Sequence, residues 1–202
     1  MSIRIAFATS SMVLVMTQAA SAAMVTFTNS VLWSGFSNSQ GASVVTETFN
    51  AYDGYQPSGL SSTIGGIQWT ASAPEGLFAD LGYLSTNASG ATMTFSLSPS
   101  VQGVSGNFFG TDIQFALVPA IISVQLGDGS AYVGYSASVA DFVGFYSTGS
   151  AIASISVSVA NVTGTESAYA TVDNLYFAVV PAPGAIALLG VACLVGRRRR
   201  RA

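Results

Sequence analysis

The chain has 202 residues, with nine acids, six basic residues, no histidine and one cysteine, Cys193. Every basic residue lies near an end, so residues 23–180 carry all nine acids and no cationic side chain. Such a segment cannot neutralise phosphate, which excludes nucleic acid as a partner. It also cannot form a Ser-His-Asp triad, a Cys-His pair, a Schiff-base lysine or a His/Cys zinc site.

The N-terminal segment, residues 1–22, has the features of a secretory signal peptide. Arg4 supplies a positive charge, a mostly apolar stretch follows it, and Ala20-Ser21-Ala22 is a small-residue cleavage site. We therefore expect a signal helix that delivers the chain to the secretion machinery. Signal peptidase would cut after Ala22 and leave Ala23 as the first mature residue.

Residues 23–178 predict one all-β domain. Ser, Thr, Val, Gly and aromatic residues dominate, and good helix formers are scarce. Runs that alternate apolar and small polar residues predict strands at 24–28, 44–49, 66–70, 91–97, 121–126, 131–139, 152–159 and 171–179. Gly127-Asp128-Gly129-Ser130 separates two of these runs and predicts a hairpin turn. About eight to ten such strands predict an antiparallel β-sandwich, most simply a jelly roll.

Carboxylates are the only side chains left for acid–base catalysis in this domain. A glycosidase needs two of them on either side of the scissile bond. The acids that could supply such a pair are Glu47, Glu75, Asp112 and Asp141. No spacing marks any two of them as partners, so we expect no enzyme. A carboxylate-dependent glycosidase stays an alternative.

Tyrosines and tryptophans are candidates for a sugar-stacking platform, because aromatic rings offer apolar faces to sugar C–H groups. The candidates are Trp33, Trp69, Tyr52, Tyr55, Tyr83, Tyr132, Tyr135 and Tyr146. For any one of them, a place in the core is the simpler interpretation. Tyr52 and Tyr55 are the least core-like, since residues 50–57 have the composition of a loop.

The final segment, residues 179–202, has three parts in a fixed order. A proline motif comes first, formed by Pro181, Ala182, Pro183 and Gly184. Residues 184–196 contain no charged side chain and predict a short transmembrane helix of about 20 Å. A basic block ends the chain, formed by Arg197, Arg198, Arg199, Arg200 and Arg201. The arginines would stay in the cytoplasm and hold the rest of the chain outside.

This tail resembles the PEP-CTERM sorting signal of exported bacterial proteins, also known as the ice-binding protein C-terminal domain. The family pattern is Pro-Glu-Pro, an apolar helix and a few arginines, and this chain is a Pro-Ala-Pro variant with Ala182 at the central position. The resemblance implies recognition by an exosortase, a membrane processing enzyme. It also implies loss of the tail and delivery to the cell surface or the exopolysaccharide matrix. The alternative is a single-span anchor that is never processed.

Four short motifs resemble exported sandwich domains that carry this tail, which are similar in turn to galactose-binding-like jelly rolls. These motifs lie at residues 47–49, 106–112, 142–145 and 172–175. In carbohydrate-binding jelly rolls an early-strand acid and a late-strand acid share a calcium ion, and Glu47 and Asp173 match those positions. The resemblance therefore implies a structural Ca²⁺, which would also offset repulsion among the nine acids. The alternative is that Asp173 caps a turn and Glu47 faces water.

Together these features predict an exported β-sandwich protein of the cell surface or exopolysaccharide matrix. We expect it to be tethered to the membrane through its tail until the tail is processed. Its expected role is structural or binding, without catalysis. The alternative is a carbohydrate-binding module for extracellular polysaccharide.

Overall fold

Strands form most of the chain that the computed structural model describes, which is residues 23–162 and 167–180. We number them in chain order. Sheet I contains β1 (Met24–Phe27), β2 (Ser43–Glu47), β3 (Gly54–Gln56), β6 (Leu77–Asp80), β7 (Tyr83–Thr86), β9 (Val101–Thr111), β10 (Leu117–Val118), β13 (Phe142–Ser147) and β15 (Tyr169–Val179). Sheet II contains β4 (Leu60–Ile64), β5 (Ile67–Ser72), β8 (Met93–Leu97), β11 (Ala120–Leu126), β12 (Ala131–Ser136) and β14 (Ser154–Asn161).

The strand pairings form two open antiparallel sheets. Sheet I runs in the order β1-β13-β9-β15-β7-β6-β3, with β10 beside β9 and β2 beside β15. Sheet II runs in the order β12-β11-β14-β8-β5-β4. The predicted antiparallel β-sandwich is confirmed at this level, and its jelly-roll connection order stays a prediction.

The core lies between the two sheets and follows from the period-2 alternation of the strands. In β5, Ile67, Trp69 and Ala71 are buried while the residues between them are exposed. Phe49 and Phe95 meet Trp69 with ring centroids 5.8 and 6.2 Å apart. Full burial of each such large apolar side chain contributes roughly 1.5–3 kcal/mol, so these alternating positions determine which way each strand faces.

Helix α1 (Ser30–Ser39) is an element that the all-β prediction lacked. Asn29 caps its start by accepting a hydrogen bond from the backbone N–H of Leu32 at 3.0 Å. The helix packs on the outer face of sheet I, where Trp33 joins Phe142, Tyr146 and Ala178 in a second apolar cluster. Tertiary burial of Trp33 therefore stabilises a helix whose sequence has weak helix propensity.

The long strand β9 lies at the centre of sheet I and was also absent from the sequence prediction. It contains Gly103, Gly106 and Gly110, which lower its apparent strand propensity. In the fold, a Cβ on Gly106 would lie 2.9 Å from Cζ of Phe108, and one on Gly103 would lie 3.2 Å from Cζ2 of Trp33. Aromatic rings thus occupy the space that side chains at these positions would need.

The outer face of sheet II carries small hydroxyl residues on β4, β5, β8 and β14. Antiparallel pairing aligns Ser61, Thr70, Ser96 and Ser154 in one row across four strands. Thr94 and Ser156 form a cross-strand hydroxyl pair at 3.1 Å in the neighbouring row. The alternation of apolar with Ser and Thr residues in the sequence accounts for this uncharged face.

The ends of the chain carry predictions that fall outside the described ranges. Residues 1–22 hold the expected signal helix, and residues 181–202 hold the proline motif, the expected transmembrane helix and the basic block. Within residues 23–162 and 167–180, no helix has the length and apolar character needed to cross a membrane.

Candidate functional site

An aromatic patch lies on the outer face of sheet I, beyond the area that α1 covers. It consists of Phe78 on β6, Tyr83 on β7, Phe109 on β9 and Phe115 in the loop after β9. Tyr83 contacts Phe109 with centroids 5.4 Å apart and stacks on Phe115 at 6.3 Å with an interplanar angle of 27°. Phe78 lies 6.1 Å from Phe115. Phe109 is buried, whereas the other three rings are half-buried and expose part of their surface.

The loop that delivers Phe115 is built around Asp112. One carboxylate oxygen of Asp112 accepts backbone hydrogen bonds from Gln114 at 2.8 Å and Ala116 at 2.9 Å. Phe115 has a φ of 60°, a left-handed conformation that a bulky side chain rarely adopts. Strain of this kind costs roughly 1–3 kcal/mol and persists only where surrounding contacts hold it. Here the hydrogen bonds to Asp112 hold the loop while the ring packs on the patch.

A pocket of about 180 Å³ opens beside the patch. Its lining combines three aromatic rings, an apolar rim and polar groups: Phe78, Ser85, Thr86, Asn87, Asp112, Ile113, Phe115 and Tyr169. Ile113 at the rim is 70% exposed, and Asn87 is also exposed. We call this cavity the sheet I pocket. It presents ring surface and hydrogen-bonding groups to the same small volume.

A row of buried hydroxyls supports the floor of the sheet I pocket. Thr171 donates a hydrogen bond to Ser85 at 3.0 Å, and Ser85 donates to the backbone carbonyl of Thr86 at 3.4 Å. Thr111 lies 2.8 Å from Thr171, and their hydroxyls also form a hydrogen bond. The hydroxyl of Thr86 accepts the backbone N–H of Ala170 at 3.2 Å. Because these buried groups are paired, the floor is rigid without any charged residue.

The carboxylates considered for catalysis belong to different elements of the fold. Glu75 is exposed, and Asp112 belongs to the pocket loop. One oxygen of Asp141 accepts the backbone N–H groups of Ala137 and Ser138 at 2.8 and 2.9 Å. That turn ends β12 three residues earlier than predicted. Asp112 and Asp141 thus each accept backbone N–H groups within their own loops.

Glu47 and Asp173, the expected calcium ligands, lie on the neighbouring strands β2 and β15. Glu47 is opposite Leu175, which faces the core between the sheets, and Glu47 is itself only 7% exposed. Its carboxylate accepts the backbone N–H of Phe49 at 3.0 Å, so it does not face water as the alternative interpretation held. The side chain of Glu47 is thus turned toward the core.

Asp173 has a different environment. It is paired with Asn107, which in turn lies opposite Phe142 in the cluster under α1. A β-bulge follows Asp173 in β15, and Asn174 within it has a φ of 50°. The bulge shifts the alternation of side chains between the two faces of the sheet, so that Leu175 faces the core. Glu47 and Asp173 therefore lie on opposite faces of sheet I. Among the described residues, no group of three acid, histidine or cysteine side chains is placed to hold a metal.

Burial raises the pKa of Asp173, and a hydrogen bond from the Asn174 backbone opposes part of that rise. The pKa of Tyr176 is raised by burial and, to a lesser extent, by the charge of Asp173. Tyr176 lies on the helix-bearing face, where its ring is 6.3 Å from that of Trp33.

Three of the eight predicted platform aromatics are core residues. Trp33 and Trp69 are 1% exposed and Tyr146 is 2% exposed. Tyr52 lies in the loop before β3, as predicted, but its ring packs edge-on against the core residue Trp69 at 6.2 Å, so it is more core-like than expected. Tyr55 is 52% exposed but lies in β3, opposite Phe78. Of the candidates, Tyr83 is the one that the structure places in the aromatic patch.

Phe78 and Phe115 were not among the predicted platform residues, which are all tyrosines or tryptophans. They come from segments 37 positions apart, and nothing local in the sequence joins them. The one available signal was Asp112, whose side chain type favours a turn three residues before Phe115.

The processing sites lie at the edges of the described chain. Ala23 begins it: its N–H donates to the hydroxyl of Thr148 at 3.2 Å, and its carbonyl accepts the Thr148 backbone N–H at 3.1 Å. β1 starts at the next residue, so cleavage after Ala22 would leave this strand whole. Ala20, Ala22, the proline motif and the five terminal arginines lie outside the described residues.

Comparisons with known proteins return no family model and no curated protein that matches this chain. Two solved structures are similar at low level. A mutant of the family 29 carbohydrate-binding module CBM29-2 has 12% identity and a TM-score of 0.27, covering 69% of this chain and 92% of its own. The CBM22-1 xylan-binding domain of Paenibacillus barcinonensis Xyn10C has 12% identity and a TM-score of 0.24, covering 70% and 97%. Likenesses this distant carry no function over to this chain.

Proposed function

We propose that this protein is exported to the cell surface or exopolysaccharide matrix and binds neutral polysaccharide there, without catalysis. The observation that carries the binding role is the sheet I pocket, where exposed ring surface of Phe78 and Phe115 adjoins Asn87, Asp112 and Tyr169. Sugars are recognised by this combination, because their C–H faces pack on aromatic rings while their hydroxyls need hydrogen-bonding partners.

The charge distribution selects neutral sugars over acidic ones. No lysine, arginine or histidine occurs between residues 23 and 180, and the nine acids all lie there. A uronate or sulfate group would meet like charge and no cation, which is unfavourable. Asp112 carries a carboxylate that accepts hydrogen bonds and therefore suits a sugar hydroxyl.

The size of the pocket favours a polymer chain over a small free ligand. Pockets that enclose drug-sized ligands occupy roughly 300–1,000 Å³. The sheet I pocket has about 180 Å³, enough for part of a sugar chain but too small to surround it. We infer that one sugar ring of the polymer enters the pocket, while the neighbouring sugar rings lie along the exposed aromatic patch.

The export part of the proposal rests on the two ends of the chain. The signal peptide and the Pro-Ala-Pro tail bracket the sandwich, and the tail resembles a sorting signal read by an exosortase. A matrix protein that holds extracellular polysaccharide would use such a route. If no glycan binds, the remaining proposal is a structural role at the surface.

A glycan array followed by calorimetry tests the binding role. We expect neutral glycans to bind and acidic ones to be rejected. Phe115→Ala should weaken binding about tenfold, a loss of ~1.4 kcal/mol, because one ring face is removed. Leu32→Ala is the control, since Leu32 is 66% exposed on α1 and does not line the pocket.

The contrary result is equally clear. Equal binding by the Phe115 variant and the wild type would place the sugar elsewhere. Binding of acidic glycans alone, or of none, would overturn the proposal.

A further inference from the structure

β12 presents an unblocked sheet edge, and we propose that it pairs with β12 of a second copy of this chain. β12 is the last strand of sheet II, and no described strand pairs with its outer side. The partner would extend sheet II across the new contact. This inference is independent of the sugar site, which lies on sheet I.

The direction of the backbone groups in β12 determines the register of the proposed pair. Leu126 donates a backbone hydrogen bond to Ser130 at 2.8 Å, so bonded pairs with β11 recur at every second residue from that point. The N–H and C=O groups of Ala131, Val133 and Tyr135 therefore point away from β11. They are the donors and acceptors that a partner strand would meet.

Antiparallel self-pairing centred on Val133 satisfies all of these groups. Val133 would face Val133 of the second copy, and Ala131 would face Tyr135 at both ends, giving about six interstrand hydrogen bonds. All three side chains lie on the same face of the strand, and Val133 and Tyr135 are 65% and 59% exposed. The small Ala131 leaves room for the ring of Tyr135 opposite it, so the strand is complementary to itself.

The β12 edge also lacks the features that keep sheet edges apart. Natural edges are blocked by lysine, proline, inward charges, bulges or short length. β12 has six residues, no charge and no proline, and its pairing with β11 shows no register shift. The edge strands β1, β3 and β4 are shorter, with four, three and five residues.

Charge does not oppose the approach of a second copy at this edge. Two copies of a domain with nine acids and no cation repel each other over most of their surfaces. The acids nearest to β12 in sequence are Asp128 and Asp141, beyond its two ends. Each accepts backbone N–H groups in its own turn. The strand itself is the neutral stretch at which the copies approach.

Disulfide trapping tests the contact in the full chain with Cys193→Ser. The Cα atoms of a directly bonded antiparallel pair lie about 5.5 Å apart, within the range that a disulfide spans. Val133→Cys should therefore form a covalent dimer under mild oxidation. Ser61→Cys, exposed on the opposite edge strand, is the matched control for random collision and for association through the tail.

The register has its own test. A mixture of Ala131→Cys and Tyr135→Cys chains should yield a mixed dimer, whereas each variant alone should yield little. Pairing in another register, or binding of a different segment at this edge, would not give that pattern.

Val133→Pro supplies the non-covalent test. Its lost N–H points outward, so the ladder with β11 stays intact and circular dichroism should show an unchanged fold. Sedimentation of the wild type should show a concentration-dependent dimer that Val133→Pro lowers at least tenfold in abundance. The proposal is overturned if Val133→Cys cross-links no more than Ser61→Cys, or if the proline variant dimerises like the wild type.

Discussion

Gly144 lies directly under the indole ring of Trp33, so that a Cβ at this position would be 2.6 Å from Cδ1 of the ring. The indole Nε1 donates a hydrogen bond to the carbonyl of Phe145 at 3.0 Å. Phe142 and Tyr176 flank the ring at 6.3 Å. Trp33 thus attaches α1 to sheet I, together with Phe36, whose ring lies 5.3 Å from that of Tyr146. A glycine in β13 makes the close approach of Trp33 possible.

This relationship predicts that Trp33→Ala costs about 3–5 kcal/mol in unfolding free energy, since it removes a buried ring and leaves a cavity. Gly144→Ala should also destabilise, because its Cβ meets Trp33 and the Cβ of Ser105 at 2.8 Å. Urea unfolding measures both effects. Gly35→Ala, on the open side of α1 with nothing within 4 Å, is the control and should stabilise by roughly 0.5–1 kcal/mol. Equal effects at Gly35 and Gly144 would contradict this packing.

The hydroxyl row under the sheet I pocket predicts a second effect. Thr171→Val leaves the hydroxyl of Thr111 without its buried partner, which should cost about 1–3 kcal/mol. Thr171→Ser keeps the hydroxyl and should cost less. Replacing both threonines by valine should be milder than the single change, since no orphan polar group remains. A double variant that is as unstable as the sum of the singles would show that the hydroxyls are not coupled.

The sequence was informative wherever a signal was local. Alternation in residues 121–126 and 131–139 predicted β11 and β12, and Gly127-Asp128-Gly129-Ser130 predicted the turn between them. In that turn Gly129 has a φ of 91° and Asp128 accepts the Ser130 N–H at 2.9 Å. Such chemistry acts within a few residues and can be identified in the sequence.

Features that depend on distant partners could not be predicted in this way. Glycines in β9 lowered its strand propensity, yet they leave space for rings such as Trp33, 70 positions earlier in the chain. α1 depends on burial of that tryptophan more than on helix formers. The sheet I pocket joins Phe78, Asp112 and Tyr169 across three parts of the chain. The pairing of strands brings these three residues together, and that pairing depends on the whole sheet and not on any local segment.

Asp173 predicts the pH dependence of stability. Its pKa in the fold is raised above 3.8 by burial, so ionisation is less favourable in the folded state than in the unfolded chain. The wild type therefore loses stability as the pH rises from the unfolded pKa through the folded one, and keeps that penalty above it. Asp173→Asn should raise the urea midpoint at about pH 7 and leave it unchanged at about pH 3. Asp128→Asn, at an exposed turn, is the control. A gain for Asp173→Asn that persists at low pH would point to packing instead of charge.

Calcium can be tested with the same Asp173 variant. The family resemblance implied an ion shared by Glu47 and Asp173, but the two side chains lie on opposite faces of sheet I. That placement argues against a shared ion, so we expect the melting midpoint to be equal in millimolar calcium and in chelator. An ion bound only to the folded state would raise the midpoint with its concentration. A rise that both Glu47→Gln and Asp173→Asn abolish would restore the calcium site and show that the strands rearrange.

The tail predicts how the protein reaches the surface. Removal of the five arginines at 197–201 should release the chain from the membrane and prevent sorting, because no other charge follows the apolar run 184–196 to halt translocation. Five lysines in their place are the matched control: they keep the cytoplasmic charge and should restore retention in the membrane.

Processing at both ends is tested on the wild-type protein. Intact-mass analysis of the wild-type surface protein should show a chain that starts at Ala23 and ends near Pro181-Ala182-Pro183. If the surface protein instead retains peptides from 184–196, the tail is an unprocessed anchor, and a first residue at Met1 would contradict removal of the signal peptide.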